Sequence, residues 1–95
     1  MSPDVAAEIA DHWQRAADRL ALRLRFASFR DVVAFMGEVA PLADGQNHHP
    51  EWRNVYRDLD IELTTHDAGG LSPKDYRLAA AIDTLLESYS VEVRS

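Results

Sequence analysis

The chain has no cysteine, which excludes disulfide scaffolds and thiolate zinc modules. It also has no long hydrophobic run. The longest uncharged apolar stretches, such as Val32 to Gly37, fall far short of the ~18 residues needed to cross a bilayer. The start Met1-Ser2-Pro3-Asp4 has an acid where a secretory signal needs basic and then apolar residues, which predicts a soluble, cytoplasmic protein. Basic charge is scarce: 10 Lys+Arg against 16 Asp+Glu give a formal net charge of −6. Non-specific nucleic-acid affinity comes from neutralising phosphates, so neither nucleic acid nor membrane is expected as a partner.

What is present is an ordinary globular balance, 46% hydrophobic and 27% charged over 95 residues. This length predicts one domain, residues 1–95, burying about 60–65% of the surface its unfolded form exposes. The charge is uneven along the chain. Five arginines and one acid lie between Arg15 and Arg30, against eight acids and three bases from Asp58 onward. The arginine cluster reads as a solvated strand face.

Ser2-Pro3-Asp4 carries the signals of a helix start, predicting a short helix through about Asp11. Leu20, Leu22, Leu24 and Phe26 alternate with Ala21, Arg23, Arg25 and Ala27, which predicts a strand with its leucine face inward. A short strand over Trp13 to Ala17 is expected to pair with it through a turn at Asp18-Arg19. Ser28 begins a helix whose stripe is read as Val32, Val33, Met36, Val39, Ala40 and Ala43. Pro41 predicts a kink or an early end, and Asp44-Gly45-Gln46-Asn47 a loop.

Strands follow over Trp52 to Tyr56 and Leu59 to Thr65, with a hairpin turn at Arg57-Asp58. Gly69-Gly70 marks a turn that needs positive φ or close backbone approach. Ser72-Pro73-Lys74-Asp75 starts a last helix with the stripe Leu78, Ile82, Leu85, Leu86 and Tyr89. The expected fold is α+β: a four-stranded antiparallel sheet with helices packed on one face. Its other face, expected to carry Thr64 and His66, meets water or another subunit.

Three of the four histidines fall in polar stretches, His48-His49-Pro50-Glu51-Trp52 and Thr64-Thr65-His66-Asp67. Imidazoles gather and release protons near neutral pH, so a converging set suits general acid–base chemistry. On composition alone, surface histidines without a role are the default, and His12 keeps that default. A zinc site is disfavoured, because adjacent histidines before a proline are held extended with their side chains apart. Trp52 and Tyr56 read first as core residues and second as pocket walls. No dinucleotide fingerprint, P-loop or nucleophile elbow is present.

The run Asp44-x3-His48-His49-Pro50-x5-Tyr56-x9-His66-x8-Asp75 resembles the active-site signature of the pterin-4a-carbinolamine dehydratase family, supported by the flanking words HHPEW, NVY, LTTHD and GGLS. The likeness extends from about Phe26 to Leu86 and is loose before that. It implies removal of water from a 4a-hydroxytetrahydropterin, giving the quinonoid dihydropterin of tetrahydrobiopterin recycling. By the same resemblance His48 and His66 would be the acid–base pair, His49 would bind and orient the pterin, and Asp44 and Asp75 would be supporting carboxylates. Pro50, Trp52, Tyr56, Thr65 and Asp67 would line the substrate. Many relatives have glutamate where Asp44 stands. The pterin is the substrate, and no cofactor or metal is implied. A homodimer through edge strands, or a homotetramer, is implied as well. The alternative is a non-catalytic dimerisation, assembly or coactivator module binding a protein partner.

Overall fold

A computed structural model describes residues 9–94. Two strands of unequal length open the fold: β1 (Gln14–Arg15) and β2 (Leu20–Phe26). The helix α1 (Phe29–Gln46) follows, then the hairpin β3 (Glu51–Val55) and β4 (Asp58–Leu63). A 3-10 turn (His66–Ala68) leads to the helix α2 (Pro73–Leu86) and a last strand, β5 (Val91–Val93). The expected helix from Ser2 to Asp11 lies mostly outside the described residues. Among them, no helix is long and apolar enough to cross a membrane.

The sheet is antiparallel in the order β1-β2-β4-β3, with β5 sharing the β2 edge with β1. Leu20, Leu22 and Leu24 lie opposite Leu63, Ile61 and Leu59, and all six are buried. A slip of one residue would turn every one of these side chains into water. The same pairing sets Arg23 opposite Asp60 and Arg25 opposite Asp58 on the open face. There Arg25 bonds Asp58 at 2.9 Å, Arg19 bonds Glu62, and Arg94 bonds Asp60. The Arg25 hydrogen bond pulls the Asp58 carboxyl below its ordinary range. The arginine cluster is thus an exposed strand face, and acids from the second half of the chain lie across from it.

Both helices cover the other face of the sheet. Ser28 Oγ accepts the Asp31 N–H, fixing the start of α1. The buried stripe is Val32, Phe35, Val39 and Ala43, whereas Val33 and Ala40 face out. Phe35, absent from the expected stripe, packs tilted against Phe26 at 5.2 Å and edge-to-face with Tyr89 at 5.7 Å. Nor does Pro41 end the helix, which runs on through Asp44 and Gly45 to Gln46. Pro41 and Gly37 are both exposed, so the Gly37 carbonyl left without its N–H partner faces solvent.

Three other expectations are corrected. The hairpin turn is Tyr56-Arg57, since Val55 pairs with Asp58. Tyr56 therefore leaves the strand, with φ of 52°. His66 sits in the 3-10 turn and not on the open sheet face. The strand β5 had no place in the expected four, because three residues give too little alternation to read. Gly69 does adopt the expected positive φ, at 69°.

Truncating Phe35 to alanine should cost about 3–5 kcal/mol, measured by urea denaturation. Tyr89 Oη donates to Glu38 Oε1 at 2.6 Å, and this bond, with some desolvation, raises the Tyr89 phenol to about 12. Its contribution to stability is therefore complete below pH ~10 and lost as pH rises through about 12. Phenolate absorbance should show Tyr89 titrating late, and Glu38→Gln should bring it back toward its ordinary value.

Candidate active site

The histidines are placed by the ends of elements. Asn47 closes α1 in the left-handed conformation, and His48 N–H returns to Ala43 O at 3.0 Å. This six-to-one bond folds the chain over the last helical turn and turns the His48 ring inward. At the far end of the hairpin strands, Thr65 pairs with Gly70 through both backbone bonds. The enclosed turn holds His66 at the rim. Glu51 starts β3 opposite Glu62 near the end of β4, so 48–51 and 64–67 become neighbours.

Asp75 anchors the arrangement. It is fully buried, His48 is 8% exposed, and Nε2 of His48 lies 2.5 Å from Oδ1. The other oxygen, Oδ2, accepts from Thr65 Oγ1 at 2.7 Å and from the Ser72 N–H at 2.9 Å. Ser72 Oγ then donates to Thr65 Oγ1 at 2.7 Å. The Ser72 bond is the reach-back half of a capping box, so one carboxylate both starts α2 and holds an imidazole. A carboxylate is an acceptor only, which puts the His48 proton on Nε2. Nδ1 has no protein partner among the described residues.

His49 and His66 have carboxylate partners of another kind. His49 Nε2 meets Asp44 Oδ1 at 2.9 Å, and His66 Nε2 meets Glu51 Oε1 at 3.3 Å. All four of these groups are exposed, so each pair contributes at most about 1 kcal/mol. The three histidines open on one cleft of about 320 Å³, with Asn47, Glu51, Thr64, Thr65, Asp67 and Lys74 completing its lining. That volume is at the lower end of small-molecule sites.

Of the residues singled out in the sequence, His48, His49, His66, Thr65 and Asp67 line this cleft, with Asp75 beneath His48 and Asp44 beside His49. Pro50 joins His49 to β3. Trp52 is half-buried against the core, outside the cleft. Tyr56 lies at the opposite end of the hairpin, 69% exposed. Glu51, Asn47, Thr64 and Lys74 had not been singled out. Glu51 in particular becomes legible only once its strand is paired.

His12 corrects the surface reading given to it. It is partly buried, and its Nε2 lies 2.8 Å from Asp83 Oδ1, which also accepts from Trp13 Nε1 at 2.8 Å. Asp83 Oδ2 takes the Ala10 N–H at 2.8 Å. Asp83 thereby fastens the segment before β1 onto α2, far from the cleft.

Asp75→Asn is the informative change here. Ser72 N–H and Thr65 Oγ1–H still need an acceptor, so the amide oxygen faces them and the amide NH2 faces His48. His48 Nε2 must then accept, and the ring proton moves to Nδ1. Nitrogen-15 NMR of the ring should report this exchange of tautomer. Asp75→Ala, which strands three donors, should cost about 3–5 kcal/mol in chemical denaturation.

The family model described as pterin 4 alpha carbinolamine dehydratase matches residues 2–85. A curated Synechococcus sp. (strain WH7803) protein, named "Putative pterin-4-alpha-carbinolamine dehydratase", is 53% identical over 74 residues, 78% of this chain and 80% of the relative. A Prochlorococcus marinus (strain MIT 9303) protein of the same name is 51% identical over 79 residues, 83% and 82%. Among solved structures, a transcriptional coactivator/pterin dehydratase from Brucella melitensis superposes with a TM-score of 0.78 at 27% identity, covering 86% of this chain and 88% of that one. A pterin dehydratase-like RuBisCO assembly factor of the alpha-carboxysome shares the fold, with a TM-score of 0.63 at 23% identity over 77% and 84% of the two chains. With these matches spanning the cleft and the elements that build it, the chain belongs to the pterin-4-alpha-carbinolamine dehydratase family.

Proposed function

We propose that the protein is a hydro-lyase that dehydrates 4a-hydroxytetrahydropterin to the quinonoid dihydropterin, in the recycling of tetrahydrobiopterin or a related pterin. The observation that carries this reading is the buried His48–Asp75 pair at the base of a cleft rimmed by His49 and His66. In the reaction the bond from C4a to the hydroxyl oxygen breaks, and a general acid protonates that oxygen so that it leaves as water. A general base removes the proton from the adjacent ring nitrogen, whose N–H electron pair becomes the new C=N bond. Protons balance and no electrons are exchanged with a carrier, so the chemistry asks only for an acid and a base.

His48 suits the base, because Asp75 occupies Nε2–H and leaves Nδ1 as an acceptor. Asp75 also stabilises the imidazolium that forms. His66, backed by Glu51, supplies the acid, and His49, backed by Asp44, orients the pterin. Each proton transfer accounts for ~10²–10⁴-fold in rate.

A second reading, binding of a protein partner, draws support from the coactivator named in the Brucella melitensis structure. The three carboxylate-backed histidines favour catalysis, and the two roles are compatible.

Stopped-flow absorbance of 4a-hydroxytetrahydropterin decay tests the enzyme reading. The wild type should accelerate the decay well beyond buffer. His48→Gln, which still offers Asp75 a donor, should remain folded and lower kcat by ~10²–10⁴-fold. Wild-type protein no faster than buffer, together with a stoichiometric partner recovered by pull-down, would favour the second reading instead.

A further inference from the structure

Thr65 stands in the lining of the histidine cleft, but the proton of its hydroxyl is used inside the wall. A carboxylate oxygen only accepts, so the 2.7 Å contact between Thr65 Oγ1 and Asp75 Oδ2 takes the Thr65 proton. The 2.7 Å contact between Thr65 Oγ1 and Ser72 Oγ must then take the Ser72 proton. A hydroxyl has one proton, and Thr65 has none left to give a ligand. Thr64, the other hydroxyl in the lining, is committed as well, donating to Asp18 O at 2.6 Å.

The backbone holds that hydroxyl in place. Thr65 N–H donates to Gly70 O at 2.9 Å, and Thr65 O accepts from Ala68 N–H at 3.1 Å and Gly70 N–H at 3.2 Å. On a backbone fixed in this way, at φ −117° and ψ 99°, a β-branched side chain has few rotamers to choose from. Asp75 differs, because the last torsion of an aspartate is broad: α2 fixes its Cα but not the plane of its carboxylate. Two donors on Oδ2 set that plane, the Ser72 N–H and the Thr65 hydroxyl. Ser72 belongs to the same helix cap as Asp75, so Thr65 is the donor that ties the plane to another segment. With the plane set, Oδ1 faces His48 Nε2 at 2.5 Å.

We propose that Thr65 is a positioning residue for the His48–Asp75 pair: its hydroxyl holds the Asp75 carboxylate in the plane that keeps the ring proton on His48 Nε2 and leaves Nδ1 as the acceptor, and it donates nothing to the bound molecule. Without the Thr65 proton, Oδ2 has the Ser72 N–H alone and the carboxylate is free to turn. The imidazole then divides its proton between Nε2 and Nδ1. A ring with its proton on Nδ1 cannot accept a second one there, so the loss falls on proton transfer and not on binding. The effect on rate rests on the proposed dehydratase reading; the effect on the tautomer does not.

The tautomer is the direct readout, because a side chain that only stabilised the turn would leave it unchanged. Nitrogen-15 NMR of the ligand-free protein, with the ring nitrogens read through the carbon-bound ring protons and His48 assigned by its absence in His48→Gln, should place the wild-type proton on Nε2. Thr65→Val keeps the β-branched shape and removes the hydroxyl, so its two His48 nitrogen resonances should move toward each other. Thr65→Ser restores the hydroxyl and should restore the wild-type pattern. Ser72→Ala keeps both the Thr65–Asp75 bond and the backbone donor at position 72, and its proton should stay on Nε2. Thr65→Ala gives the same reading as Thr65→Val where valine is not accommodated. A wild-type pattern in the folded Thr65→Val or Thr65→Ala protein overturns the positioning role, as does an equal shift in Ser72→Ala.

Kinetics give the second readout. Thr65→Val should lower kcat for 4a-hydroxytetrahydropterin dehydration by ~10–100-fold, the range found when the partner that orients a metal-bound histidine is removed, with KM held within about twofold. Thr65→Ser should recover most of kcat. A raised KM with kcat unchanged makes Thr65 a substrate contact and overturns the proposal. If the wild type itself does not accelerate dehydration, the dehydratase reading fails and the tautomer still decides the role of Thr65.

Discussion

The fold and the site share one buried carboxylate. Asp75 accepts from His48 after α1, from Thr65 after β4 and from Ser72 at the start of α2. An ionised carboxylate removed from water costs several kcal/mol unless its lone pairs are answered, and here both oxygens are. Three segments distant in sequence must therefore arrive together for any of them to be well placed. The helix start is capped locally, but its capping acid is also the partner of the imidazole. Stability and ring orientation at His48 are two consequences of one set of hydrogen bonds.

The other histidines are held differently, and the difference has a chemical meaning. His49 and His66 lean on exposed carboxylates, where water competes for each bond and the rings keep much of their rotational freedom. The cleft thus has one fixed group at its base and two solvent-competed groups at its rim. The cleft is also bounded mostly by polar side chains, and among the described residues its lining holds no Phe, Tyr or Trp. Such walls offer a ligand mainly hydrogen bonds.

Much of the architecture was legible because two signals agreed wherever burial is one-sided. The leucines of β2 and the Leu59-Ile61-Leu63 row of β4 alternate strictly, and the caps at Ser28 and Ser72 are local chemistry. The misreadings have equally physical causes. Phe35 escapes the pattern because a stripe through Val33 and Ala40 has the same period, and only the aromatic neighbours Phe26 and Tyr89 decide between them. Pro41 is tolerated because the carbonyl it strands reaches solvent. Propensity placed Tyr56 in the strand, while the pairing of Val55 with Asp58 pushed it into the turn.

The site was legible as a set of residue types and hardly at all as an arrangement. The resemblance to a family signature marks His48, His49, His66 and Asp75, yet nothing in it distinguishes the buried ring from the exposed ones. That distinction arises from Asn47 adopting the left-handed conformation, which turns the chain back over α1 and seats His48 above Asp75. Asn is among the few residues that take this conformation without much strain. His12 illustrates the same gap from the other side. Its local sequence gives no reason to expect a partner, and Asp83, 71 positions away, becomes one only because α2 packs beside the segment before β1. Residue type sets what chemistry is available, and long-range packing decides which copy of that residue can use it.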